Sequence, residues 1–176
     1  MRTPFLSNGK QSMSELRVRK RKRLREKEVR ALSEEISSKV GVQVFTVGDT
    51  VDQAESSDMY LVFVNGEVDA FILQDRAFLT VRGLLKYPAT KAFVTVDMGA
   101  IRFVINGADI MGPGIVEADE ALRPGDYVWV RDEKNKKPLA VGQALITGSE
   151  MASKKPGKAI KSILFVGDKL WKVDED

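Results

Sequence analysis

The chain has 176 residues, 43% of them hydrophobic and 30% charged, which suits one domain or two small ones with an ordinary core. It contains neither cysteine nor histidine, which excludes disulfides, thiolate nucleophiles, imidazole bases and the usual zinc sites, and no carboxylate spacing resembles a calcium loop. No apolar run approaches the roughly 20 residues that span a bilayer, and Phe5-Leu6 is no signal-peptide core, so a cytoplasmic protein with no membrane segment, no metal and no cofactor is expected.

In chain order, residues 1–13 are polar, carry Pro4 and Gly9 without periodicity, and read as a disordered tail. From Ser14 the pattern predicts one helix. Its first half is strongly basic, including Arg19, Arg21, Lys22, Arg23 and Arg25, and its second half carries an apolar stripe at Val29, Leu32, Ile36 and Val40 before Gly41 stops it. Such a basic run binds a polyanion or is a solvated face. Like charges one turn apart weaken a helix, so a nucleic-acid partner would complete its ordering. Strands are predicted at 42–47, 60–64 and 67–73, the last two joined by Asn65-Gly66, a strong hairpin signal. Residues 49–58 are a loop or an edge strand. An apolar helical pattern over 78–86 stops at Tyr87-Pro88, closing an N-terminal α+β unit of residues 14–90.

The most informative segment is Val94–Ile115. A strand runs into glycine, a short helix follows with Ile101, Val104 and Ile105 on one side, and then come Gly107-Ala108 and Gly112-Pro-Gly114. After it stand Leu122-Arg-Pro-Gly-Asp-Tyr-Val-Trp-Val130, Leu139-Ala-Val-Gly-Gln143, Gly157-Lys-Ala-Ile160 and Gly167-Asp-Lys-Leu-Trp171. Strand-rich sequence with such Gly and Pro punctuation suits a small barrel. In this order and spacing the blocks resemble the PUA domain, a small pseudo-barrel that binds RNA. Leu79-Thr-Val-Arg-Gly-Leu-Leu-Lys-Tyr-Pro88 ahead of it is similar to the segment preceding the PUA domain in the malignant T-cell amplified sequence family of translation factors. The resemblance implies an α+β chain: a pre-PUA domain at 14–90 and a PUA pseudo-barrel at 91–176. It also implies binding to tRNA or rRNA, contact with the small ribosomal subunit, and a partner with an SUI1-like domain. Two other readings are an RNA-binding adaptor of a modification complex and a protein-interaction module.

By that resemblance the RNA contacts are Gly107, Ala108, Asp109, Met111, Gly112, Pro113 and Gly114, where glycines let backbone approach a ligand and Met111 offers an apolar surface to an unstacked base. The glycines equally serve tight packing. Lys154, Lys155 and Lys158, with Lys161 nearby, would neutralise phosphates, or be a solvated loop. Arg102 is a weaker candidate on the exposed side of its helix. Gly112-Pro-Gly114 has proline between its glycines and no third glycine at the offset a dinucleotide site needs. Trp171 is expected to pack, and alternation places Tyr127 and Trp129 on one strand face, with one of the two faces exposed. Asp97 and Asp126 are expected to cap a helix and close a turn. A pseudouridine synthase or base-exchange enzyme needs a large catalytic domain, and residues 14–90 cannot house one, so no enzymatic activity is expected.

Overall fold

The computed structural model describes residues 16–173. The chain is α+β, with two sheets joined through one hydrophobic core. The first sheet is an antiparallel meander of β1 (Arg19–Arg23), β2 (Val51–Ser56), β3 (Met59–Val64), β4 (Glu67–Leu73) and β5 (Arg76–Leu79) in that order. Helix α1 (Glu26–Val40) lies between β1 and β2 in sequence, and α2 (Val81–Lys86) follows β5. The expected hairpin forms with Val64 opposite Glu67 across Asn65-Gly66.

The helix expected to start at Ser14 begins instead at Glu26. Ser14 itself, like the tail predicted at 1–13, lies outside the described residues. Arg19, Arg21, Lys22 and Arg23 form an exposed edge strand, and Arg25 stands just ahead of α1, where its amide donates to Glu28 Oε1. A helix would have stacked these cations one turn apart. The strand instead lays them along acidic β2: Arg21 and Arg23 reach Asp52 through Nε at 2.9 and 2.6 Å, and Arg19 and Lys20 lie 3.7 and 3.9 Å from Glu55. The apolar stripe Val29, Leu32, Ile36 and Val40 is buried as expected.

Two further boundaries differ. Residues 42–47 form no strand; Val44 and Phe45 are buried by tethers to α1, with Ser33 Oγ donating to the Phe45 carbonyl and the Val44 amide donating to Ser37 Oγ. The polar 49–58 segment contains β2, an interior strand between β1 and β3. Within the 78–86 pattern, Phe78 and Leu79 end β5 and the helix starts at Val81. Thr80 caps it by accepting from the Gly83 amide at 3.1 Å, while its hydroxyl donates to the Val68 carbonyl at 2.7 Å. Gly83 allows α2 to press on β4, because a Cβ there would stand 2.0 Å from the Asp69 carbonyl oxygen.

The second sheet has the order β7-β11-β10-β9-β6-β8: β6 (Phe93–Val96), β7 (Ile110–Met111), β8 (Ile115–Ala118), β9 (Tyr127–Asp132), β10 (Pro138–Ala144) and β11 (Lys158–Phe165). All its pairings are antiparallel except β6 with β9. Helices α3 (Ile101–Val104), α4 (Gly148–Ala152) and α5 (Lys169–Val173) fill the connections. Both faces of β9 are covered: Tyr127, Val128, Trp129 and Val130 are all buried, which overturns the expectation of one exposed face. Trp129 Nε1 donates to the Lys91 carbonyl at 2.8 Å, so it is a packing residue with a satisfied donor.

Tyr127 joins the two sheets. Its ring lies 5.6 and 6.1 Å from those of Phe71 and Phe78, and its hydroxyl donates to the Leu73 carbonyl at 2.6 Å. Arg76 stacks over the same ring and donates to the Gly125 carbonyl. At the chain's far end Trp171 packs under the Arg82 guanidinium, 3.7 Å from ring centroid to Cζ. Asp69 is fully buried between Lys86 and Tyr87, at 2.8 and 3.3 Å, and burial pushes its carboxyl up despite the lysine. Among the described residues no helix is long and apolar enough to cross a membrane.

Candidate RNA interface

One end of the second sheet carries a groove of about 750 Å³, walled by the turn after β6, by α3, and by the backbone from Ala108 to Gly114. Asp97 shapes the first wall. Its amide donates to the Gly114 carbonyl and its carboxylate accepts from the Ala100 amide at 2.9 Å, capping a short 3-10 turn as the sequence leads one to expect. Asp126 closes its own turn in the same way, accepting from the Arg123 amide.

Helix α3 is shorter than the apolar pattern implies and turns differently. Val104 is buried and Ile101 partly so, but Ile105 is exposed, and Phe103 is 54% exposed and lines the groove. Arg102 lies on the outer side, its Cζ 4.8 Å from the Phe103 ring centroid. Met111, 47% exposed, lines the groove as well, so a flat ring and a flexible thioether side chain offer apolar surface to water in the same groove. Isolated exposed apolar residues are ordinary, but an aromatic in a concave site is where an unstacked base is held.

The three glycines of the segment do different work. Gly107 ends α3 at φ +87°, and a Cβ there would meet the Phe165 ring at 2.8 Å. It closes the helix against β11 and does not line the groove. Gly112 is buried: its amide donates to the Gly157 carbonyl at 2.9 Å, and a Cβ would stand 1.7 Å from the Lys155 carbonyl oxygen. It is the point where the groove wall touches the 154–157 loop. Gly114 faces the groove beside Ala100, with Ala108 and Pro113 also on its walls.

Asp109 links the wall to β11. Its Oδ1 accepts from the Ser162 amide at 2.9 Å and its Oδ2 lies 3.2 Å from Lys158 Nζ. The Ser162 amide is the main influence holding this carboxyl below its ordinary range, with Lys158 adding to it. The lysine cluster is not uniform. Lys154 turns its ammonium onto the wall itself, donating to the Ile115 carbonyl at 2.7 Å and the Pro113 carbonyl at 3.4 Å. Lys155 pairs with Glu150 at 2.6 Å, and Lys158 stands at the mouth beside Asp109.

The structure therefore brings Ala108, Asp109, Met111, Pro113, Gly114 and Lys158 to one groove, with Gly112, Lys154 and Lys155 behind its wall and Arg102 on the adjoining rim. Arg19, Arg21, Lys22, Arg23 and Arg25 belong to the other sheet. Phe103 escaped the sequence reading. Its signal was a large apolar residue off the Ile101-Val104-Ile105 stripe, which a four-residue helix does not keep buried.

Residues 92–165 match the PUA domain family. An uncharacterised protein of Methanocaldococcus jannaschii is 42% identical over 159 residues, 89% of this chain and 98% of the relative. The translation machinery-associated protein 20 of Eremothecium gossypii is 34% identical over 66% of this chain and 67% of its own length. The malignant T-cell-amplified sequence 1 homologue of Drosophila melanogaster is 32% identical over 70% and 71%. The chain belongs to this family of PUA-domain proteins. It spans about two thirds of the length of the eukaryotic members it matches. Its fold also matches the crystal structure of a hypothetical protein from Pyrococcus horikoshii, with a TM-score of 0.77 at 34% identity over 87% of this chain and 98% of that one.

Proposed function

We propose that the chain binds RNA, tRNA or rRNA, through the groove between α3 and the 108–114 wall, and acts in translation without catalysing a reaction. Membership of the PUA family, among relatives named as translation machinery-associated, supports the RNA-binding and translation-related part. The observation that carries the site is the juxtaposition of Phe103 and Met111 with Lys158 at one concave mouth. Aromatic and apolar surfaces hold a base of any sequence, and cations at the rim hold its phosphates.

On this reading Gly107, Gly112 and Lys154 shape the wall, whereas Ala108, Asp109, Met111, Pro113 and Gly114 touch the ligand, with Arg102 and Lys158 on its backbone and Lys155, paired with Glu150, behind them. The natural division lies near residue 91, the first sheet serving as a pre-PUA domain. The cationic strand Arg19–Arg23, with Arg25, is the surface we assign to the small ribosomal subunit or to an SUI1-domain partner in the cytoplasm. Anisotropy of labelled tRNA, titrated with KCl, tests the core of the reading. The expected result is a log–log plot of affinity against salt that falls linearly, with a slope near −0.7 to −0.9 for each phosphate neutralised. Affinity that is absent at low salt, or indifferent to salt, overturns it. Co-sedimentation with purified small subunits, against large subunits as control, tests the placement in translation.

A further inference from the structure

The groove has two walls, and Lys154, Lys155 and Lys158 all lie on the side of the 108–114 wall. The opposite wall, the turn at Met98–Ala100, is braced from outside by the β9–β10 hairpin: the Met98 amide donates to Glu133 Oε2 at 2.8 Å. The next residues of that hairpin include Lys134, Lys136 and Lys137, all exposed.

This hairpin is held in one shape. Asp132 is buried at its base and accepts from the amides of Asn135 and Lys137, while its own amide donates to the Lys137 carbonyl. Lys136 adopts a left-handed backbone at φ +56° to close the turn. The two acids of the hairpin, Asp132 and Glu133, are both spent on main-chain amides. The lysines are far less engaged. Lys136 lies 3.6 Å from Glu117 in a half-exposed pair, and among the described residues no ion pair engages Lys134 or Lys137. A fixed loop thus carries its anions inward and its cations outward beside a groove wall. Ordering the backbone of such a loop costs nothing further when a polyanion arrives.

We propose that the β9–β10 hairpin is a second phosphate-binding rim, with Lys134, Lys136 and Lys137 facing Lys158 across the groove. This rests on the reading of the groove as an RNA interface. A nucleotide whose base lies against Phe103 and Met111 has its backbone at the mouth, where both rims stand, so the strand crosses the groove between two sets of cations. Contacts of this kind carry affinity and salt dependence but no sequence information.

The test compares the wild-type protein with K134Q/K136Q/K137Q and the charge-preserving K134R/K136R/K137R, using fluorescein-labelled unfractionated tRNA over a KCl series, with thermal melts to confirm folding. The glutamine variant is expected to lose about 0.7–0.9 from the magnitude of the log–log slope for each phosphate contact removed, about 2.1–2.7 in all if all three lysines engage, and the arginine variant to keep the wild-type slope. An unchanged slope in the glutamine variant, with wild-type binding intact, overturns the second rim alone. Wild-type protein that shows no salt-dependent binding overturns the groove reading and the rim with it.

Discussion

Replacing Gly112 with alanine separates the two roles that glycine plays in this site. A Cβ at position 112 would lie 1.7 Å from the Lys155 carbonyl oxygen, where ordinary contact needs about twice that distance, and the obstacle is backbone. The wall must move away from the 154–157 loop, which also breaks the Gly112–Gly157 hydrogen bond of 2.9 Å. Overpacking costs about 1–3 kcal/mol and the lost hydrogen bond about 1 kcal/mol more. The sum is about 2–4 kcal/mol, or a fall in Tm of roughly 5–15 °C for a domain of this size. Gly114→Ala is the internal control. Its Cβ would rest 3.5 Å from the Ala100 Cβ, an ordinary contact, but the methyl group intrudes on the groove. Differential scanning calorimetry should therefore show a large loss for G112A and a change of less than about 0.5 kcal/mol for G114A. Labelled-tRNA anisotropy should show weakened binding for both. A wild-type Tm for G112A, or equal losses of stability in the two variants, refutes the assignment of Gly112 to packing and Gly114 to the ligand surface.

Phe103→Ala should lower tRNA affinity by about 1–3 kcal/mol, the worth of one stacked base, while Tm and the salt slope stay near wild type, because the ring is more than half exposed and uncharged; anisotropy and calorimetry check both halves. Thr80→Ala removes both the α2 cap and a buried donor to the Val68 carbonyl, and should cost about 1–3 kcal/mol in urea unfolding. Asp132→Asn tests the hairpin's base. Burial opposes ionisation there, but the amides of Asn135 and Lys137 outweigh it and hold the folded carboxyl below its ordinary 3.8. A depressed folded value stabilises the protein above the unfolded value, and that stabilisation is lost as pH falls through the folded one. The stability gap between wild type and variant should therefore be full near neutrality and narrow between about pH 5 and pH 2; a gap that stays constant with pH would mean the carboxylate charge plays no part.

Much of this protein is written locally. The Asn65-Gly66 hairpin, the apolar stripe Val29-Leu32-Ile36-Val40 and the caps at Asp97 and Asp126 depend on neighbours within a few residues to a few turns, so the amino-acid order determines them alone. Several features waited for the tertiary structure because their cause lies far away in sequence. Arg19–Arg23 is a strand because Asp52 and Glu55, about thirty residues on, offer its cations a row of partners that a helix would not reach. Residues 42–47 alternate like a strand yet are held by the side chains of α1, and Trp129 is buried with its indole donating to the Lys91 carbonyl, 38 residues back in sequence. The groove follows the same rule. Gly107, Gly112 and Gly114 look alike in the sequence, and only the approach of Phe165 to one, of the Lys155 carbonyl to another and of open groove to the third separates packing from contact. Periodicity records which residues want to leave water; which surface remains outside, and what stands across from it, is settled when distant segments meet.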